Sequence, residues 1–156
     1  MTFLKSFLCC IAFLFAMPSM ADSTVYLGAV SKHIGGDSEY DYNENHNLIG
    51  VEADGWFAGF FENSYREDTW AIGHRLTKRY GDFEPGILVG ASYGYRNCAK
   101  GYDDAGETRR VCPVVAPSLT WHGIKKATGL KPTVMLLGNA VAVTVGVDLE
   151  TVGGWL

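Results

Sequence analysis

Ser64 stands in the run Phe60-Phe61-Glu62-Asn63-Ser64-Tyr65, followed at once by the charges Arg66, Glu67 and Asp68. A serine hydroxyl becomes a useful nucleophile when a base takes its proton as the oxygen attacks a carbonyl. His33, which closes the segment Ser31-Lys32-His33, supplies a candidate base. A third group is needed to orient the imidazole, as in a catalytic triad. Asn63, Glu62, Asp41 and Glu44 are of the right type. Each also has a plain reading. A polar residue at a strand end usually just begins a loop, and a histidine in an acidic loop is usually solvated.

Bringing His33 and Ser64 together requires strands. Glycine, β-branched residues and aromatics dominate the chain, and turn signals recur every eight to twelve residues, which is the pattern of an all-β barrel or sandwich. Eight strands are expected, at Thr24–His33, His46–Ala53, Trp56–Tyr65, Thr69–Thr77, Gly86–Arg96, Cys112–His122, Pro132–Leu137 and Ala140–Leu149. Asp54-Gly55 and Gly138-Asn139 have the composition of two-residue hairpin turns. The other links are short enough for a meander, and eight meandering strands close readily into an up-and-down antiparallel barrel that has no free edges.

In a meander all odd-numbered strands end at one rim. His33, Asn63-Ser64-Tyr65 and Tyr95-Arg96 are therefore expected together, beside the two longest loops, 34–44 and 97–111. The opposite rim carries what look like plain connections.

Side chains alternate faces along a strand. One face is large and apolar, most clearly Val141, Val143, Val145 and Val147 in the last strand. Phe57, Gly59 and Phe61 are assigned to this face in the third strand, opposite Ala58, Phe60, Glu62 and Ser64. The other face is small and polar, and Glu52, Glu62 and Arg75 are expected on it as a compensated structural charge cluster. Alternation alone leaves open which face is the inner one. A soluble barrel or sandwich would bury the apolar face, whereas an outer-membrane barrel turns it to lipid. The Gly, Ala and Ser content of the second face and the strand-end aromatics Trp70, Tyr93, Tyr95 and Trp121 suit the outer-membrane type.

The chain has 156 residues, and residues 1–21 have the form of a secretory signal peptide: Lys5, the apolar run Phe7–Met17, then Pro18, Ser19 and Ala21. The remainder, 22–156, is expected to be one domain. Without Lys5 it carries 12 Lys+Arg against 17 Asp+Glu, a formal charge of −5. An acidic chain without a basic cluster is not expected to bind nucleic acid. Cys98 and Cys112 are the two cysteines left after the leader, and in an exported chain they are expected to pair. No metal ligand set, Gly-rich phosphate loop, nucleophile elbow or zinc-protease motif is present, so neither a metal nor a cofactor is expected.

The order of these features resembles the lipid A palmitoyltransferases of Gram-negative outer membranes, the PagP family. The resemblance rests on a His ending the first strand (His33), the acidic segment Tyr42-Asn43-Glu44, and an aromatic-rich strand running into a Ser in Phe60–Tyr65. It implies a small outer-membrane barrel that moves an acyl chain between lipids. His33 would be the base and Ser64 the acyl-handling hydroxyl. Asn63 stands where the family has an acid. Tyr42, Glu44, Tyr65 and Arg96 would contact the substrate, a membrane lipid or lipopolysaccharide. Two other readings remain: a non-catalytic exported surface barrel, of phage or prophage origin, whose acidic loops bind a partner, and a soluble periplasmic β-domain that binds a small ligand.

Overall fold

A computed structural model describes residues 23–34, 41–98 and 108–154. The expected leader lies outside the described residues. The chain forms a closed barrel of eight antiparallel strands in sequence order. They are β1 (Thr24–His33), β2 (Ile49–Ala53), β3 (Trp56–Glu62), β4 (Asp68–Thr77), β5 (Phe83–Tyr95), β6 (Arg110–Trp121), β7 (Leu130–Leu137) and β8 (Ala140–Asp148). β1 pairs with β8 along its whole length and closes the cylinder. Two short helices, Lys125–Thr128 and Leu149–Gly153, lie at the even-strand rim, and no helix among the described residues is long and apolar enough to cross a membrane.

The expected hairpins are present. Ala53 pairs with Trp56 across Asp54-Gly55, and Leu137 pairs with Ala140 across Gly138-Asn139. Asp54 and Gly55 both have positive φ, 49° and 79°, as a type I′ turn demands. Cys98 and Cys112 form a disulfide.

The polar face is the inner one. Thr24, Ser92, Thr120, Thr133 and Thr144 are buried, while every strand exposes large apolar side chains, from Leu27 on β1 and Ile72 on β4 to Val115 on β6 and Val143 on β8. A sharp bulge at Gly28 (φ 70°) shifts the β1–β8 register between Leu27 and Ala29. The shift lets Tyr26 and Ser31, an odd number of residues apart, both be buried.

β3 faces the other way from expectation. The tight Asp54-Gly55 turn pairs Glu52 with Phe57, so Phe57, Gly59 and Phe61 share the inner face with Glu52. Ala58, Phe60 and Glu62 take the other parity. Glycines make room for the inward rings. A Cβ at Gly59 would lie 2.7 Å from Phe57 Cζ, and one at Gly50 would lie 2.8 Å from Phe57 Cε2. Phe57 meets Tyr26 edge to face, with ring centroids 6.0 Å apart.

The inner charge cluster is built on Arg75 and Glu52, as expected, but with Glu84 in place of Glu62. Arg75 Nη2 and Nε donate to the Glu52 carboxylate at 2.8–3.1 Å, and Nη1 donates to Thr120 Oγ1 at 3.0 Å. Glu84 Oε1 lies 3.5 Å from Arg75 Nη2, and the Tyr26 hydroxyl donates to Glu52. Glu62 is excluded by the parity of β3 and instead accepts from Asn43 Nδ2 at the odd-strand rim. At the even-strand end, Asp148 is fully buried, holds Lys125 and Lys131 at 2.9 and 3.2 Å, and caps the last helix through the Thr151 N–H. His122 sits between, 3.3 Å from Glu84. Its pKa is lowered by burial, against the pull of Glu84 and reinforced by Arg79, Lys131 and Lys125. Among the described residues the interior is thus lined by paired and hydrogen-bonded side chains.

Candidate functional site at the odd-strand rim

Residues 41–48 run between β1 and β3 at the odd-strand rim before β2 begins at Ile49, three residues later than the sequence pattern suggests. The segment is tied to both neighbours by its backbone. Ser31 N–H donates to Glu44 O, His46 N–H to Ala29 O, Glu62 N–H to His46 O, and Asn43 N–H to Ser64 O, all at 2.9 Å. Its hydrogen bonds fill the gap that the late start of β2 leaves between β1 and β3.

His33 ends β1 on the inner face, opposite Ala140. Its ring stacks on Tyr42, with centroids 4.0 Å apart and planes 14° from parallel. Tyr42 in turn meets Tyr65 edge-on at 5.8 Å, and Tyr65 meets Tyr95 at 6.4 Å. A row of rings therefore links the ends of β1, β3 and β5. His33 Nδ1 is buried and makes no hydrogen bond.

Ser64 lies in the turn after β3 rather than at the strand's end, because β3 stops at Glu62. The turn is organised by Asn63, whose side chain is completely buried. Its carbonyl oxygen accepts the Tyr65 and Glu67 N–H groups at 2.8 and 3.2 Å, and its amide donates to Thr69 Oγ1 at 3.0 Å. That carboxamide is committed to the turn and does not reach the His33 ring. No hydrogen bond joins Ser64 to His33. The structure brings His33, Tyr42 and Tyr65 into contact and sets Ser64 at the same rim, but it does not assemble the expected three-residue relay.

Charges frame the rim. Lys32 pairs with Glu44 at 2.6 Å, Arg66 with Asp41 at 2.8 Å, and Arg96 with Glu67 at 2.6 Å. Of the proposed substrate-contacting residues, Glu44 and Arg96 therefore already hold ion partners. Lys32–Glu44 and Arg66–Asp41 are exposed pairs, a kind that contributes little to stability, whereas Glu67, the partner of Arg96, is buried.

One pair was missed by sequence reasoning. Ser31 Oγ lies 2.7 Å from His46 Nε2, and His46 Nδ1 lies 2.7 Å from the Glu62 carbonyl oxygen. Both side chains are buried, and the His46 ring meets Phe61 edge-on. The sequence did hold a signal. An even strand begins at the rim where odd strands end, so His46, just ahead of β2, must lie near Ser31 and His33.

Comparison with protein-family models finds no match, and comparison with curated proteins finds none.

Proposed function

We propose that this chain is an exported, membrane-spanning barrel of the outer-membrane type whose odd-strand rim works on lipid esters, by acyl transfer or hydrolysis. The observation that carries the membrane reading is the outer surface. Exposed apolar side chains occur on all eight strands, and aromatics bound them. Trp70 and Tyr93 lie toward the odd-strand rim; Trp56, Phe83 and Trp121 lie toward the other. On β5 the distance from Tyr93 to Phe83 is about ten residues. At ~3.3 Å per residue and a tilt of about 40°, this spans ~25 Å along the barrel axis, the height of an outer-membrane barrel's apolar band. A surface of this kind in water would forgo about 1.5–3 kcal/mol for each large apolar side chain. A lipid bilayer removes that cost.

The charge-compensated interior argues for work at a rim rather than conduction. Membrane lipid or lipopolysaccharide is the partner within reach of such a rim. The motif resemblance to lipid A palmitoyltransferases supports ester chemistry there. The test is to express the chain in a Gram-negative host, fractionate the cells, and compare lipid A and phospholipids by mass spectrometry with and without it. Recovery in the detergent-soluble outer-membrane fraction with an altered acyl pattern is the expected result. Recovery in the soluble periplasm would refute the membrane reading.

A second reading is favoured by two observations: Asn63 is spent on its turn, and His33 Nδ1 makes no hydrogen bond. On that reading the barrel is a non-catalytic surface protein whose acidic loops bind a partner. Outer-membrane recovery with unchanged lipids would select it.

A further inference from the structure

We infer that Ser31 and His46, rather than Ser64 and His33, form the nucleophile–base pair of this rim, acting on a carboxylic ester. The inference rests on the lipid-ester reading above and deepens it. The Glu62 carbonyl can only accept a hydrogen bond, so in the neutral imidazole the hydrogen sits on Nδ1. Nε2 is then a bare acceptor, 2.7 Å from Ser31 Oγ and able to take its proton. Nucleophile, base and orienting group thus stand in the relation a triad requires, with a backbone carbonyl as the third member.

The pair is not needed to hold the segment in place. The His46 backbone is already bonded on both sides, through its N–H to Ala29 O and through its carbonyl to Glu62 N–H. His33 lies two residues along the same inner face from Ser31, about 6.5–7 Å away by strand geometry. Its Nδ1 is buried and makes no hydrogen bond.

The chemistry balances without a further reactant beyond water or an alcohol. Ser31 Oγ attacks the ester carbonyl carbon, and His46 Nε2 takes the hydroxyl proton. The carbon–oxygen bond to the alcohol breaks, and His46 returns the proton to the departing alkoxide. The acyl group on Ser31 is then passed to water, which gives hydrolysis, or to a second alcohol, which gives transfer.

The test uses the full chain folded in detergent micelles and treated with a long-chain alkyl fluorophosphonate, with the adduct located by peptide mass spectrometry. Attack by Ser31 displaces fluoride and leaves a stable phosphonyl ester. One adduct on Ser31 is expected, absent in Ser31→Ala and retained in Ser64→Ala. Labelling should slow by about 100-fold or more in His46→Phe, the contribution of a general base. His46→Gln, which can keep both hydrogen bonds but cannot take up a proton, should slow equally while its folded gel mobility stays unchanged. Absence of an adduct on the folded barrel, an adduct on Ser64, or equal labelling of Ser31 in urea would overturn the assignment. An unlabelled barrel that still partitions with the outer membrane would remove this pair and leave the membrane reading standing. A labelled chain found in the soluble periplasm would do the reverse.

Discussion

The Glu52→Ala substitution offers a quantitative test of the inner charge network. Arg75 is 7 % exposed and Glu52 8 %. Glu52 accepts from both Nε and Nη2 of Arg75 and from the Tyr26 hydroxyl. Removing the carboxylate leaves a buried guanidinium with Thr120 and a more distant Glu84 at 3.5 Å. Breaking a buried pair from one side costs ~3–5 kcal/mol, because the surviving charge is stranded. Glu84 offsets part of this, which places Glu52→Ala at about 3 kcal/mol, roughly a 100-fold change in the unfolding constant. The double variant Glu52→Ala/Arg75→Met removes the stranded charge and should be the less damaged of the two. Urea unfolding of the barrel in phospholipid vesicles, followed by tryptophan fluorescence, reads both. A loss below about 1 kcal/mol for Glu52→Ala, or a double variant less stable than Glu52→Ala alone, would show that the network is not held by this pair.

Three further outcomes follow from the same geometry. Asn63→Ala should destabilise by about 3 kcal/mol, since it orphans the Tyr65 and Glu67 N–H groups; Asn63→Asp keeps the one oxygen that accepts both, loses only the donor to Thr69 Oγ1, and should be the less damaged of the two in the same urea assay. Gly90→Ala should cost more than ~2 kcal/mol and depress folding yield, because a Cβ there would lie 2.2 Å from the Ile72 carbonyl oxygen and 2.6 Å from Gly73 Cα. Burial lowers the His122 pKa from its ordinary 6.5 in the folded state, so the unfolded chain binds the proton more readily. Its contribution is therefore present above about pH 6.5 and is lost as pH falls below it; His122→Gln should flatten the stability profile between pH 7.5 and 5, and an unchanged profile would refute the assignment.

Much of the barrel was legible because its rules are local. Asp54-Gly55 and Gly138-Asn139 fix two hairpins, and alternation in β4, β6, β8 and in β5 up to Tyr93 separates apolar from polar faces. β3 was misassigned although the information was present. A two-residue turn pairs Ala53 with Trp56, so Trp56 must share Ala53's face and Phe57 must share that of Glu52. The inward Phe57 defeats a reading by side-chain size, because the glycines that admit it lie on both its own strand and β2. The parity of β3 also removes Glu62 from the inner cluster, and Glu84 replaces it from the start of β5, where Pro85 makes the sequence read as loop.

The rim was legible at the level of topology and not at the level of bonds. The meander alone places His33 and Ser64 at one end of the barrel, but which hydroxyl meets which imidazole depends on two irregularities. The Gly28 bulge decides that Ser31 points inward, and the late start of β2 leaves residues 41–48 as an irregular segment bonded between β1 and β3. Together they deliver His46 to Ser31 and leave His33 stacked on Tyr42. Asn63 shows the opposite effect. Its position beside Ser64 suggests a role in catalysis, yet its three hydrogen bonds all close the β3–β4 turn. In a regular barrel the strands fix where a rim is, and departures from regularity fix its chemistry; the residues at bulges and delayed strand starts are accordingly the ones whose substitution should separate function from fold.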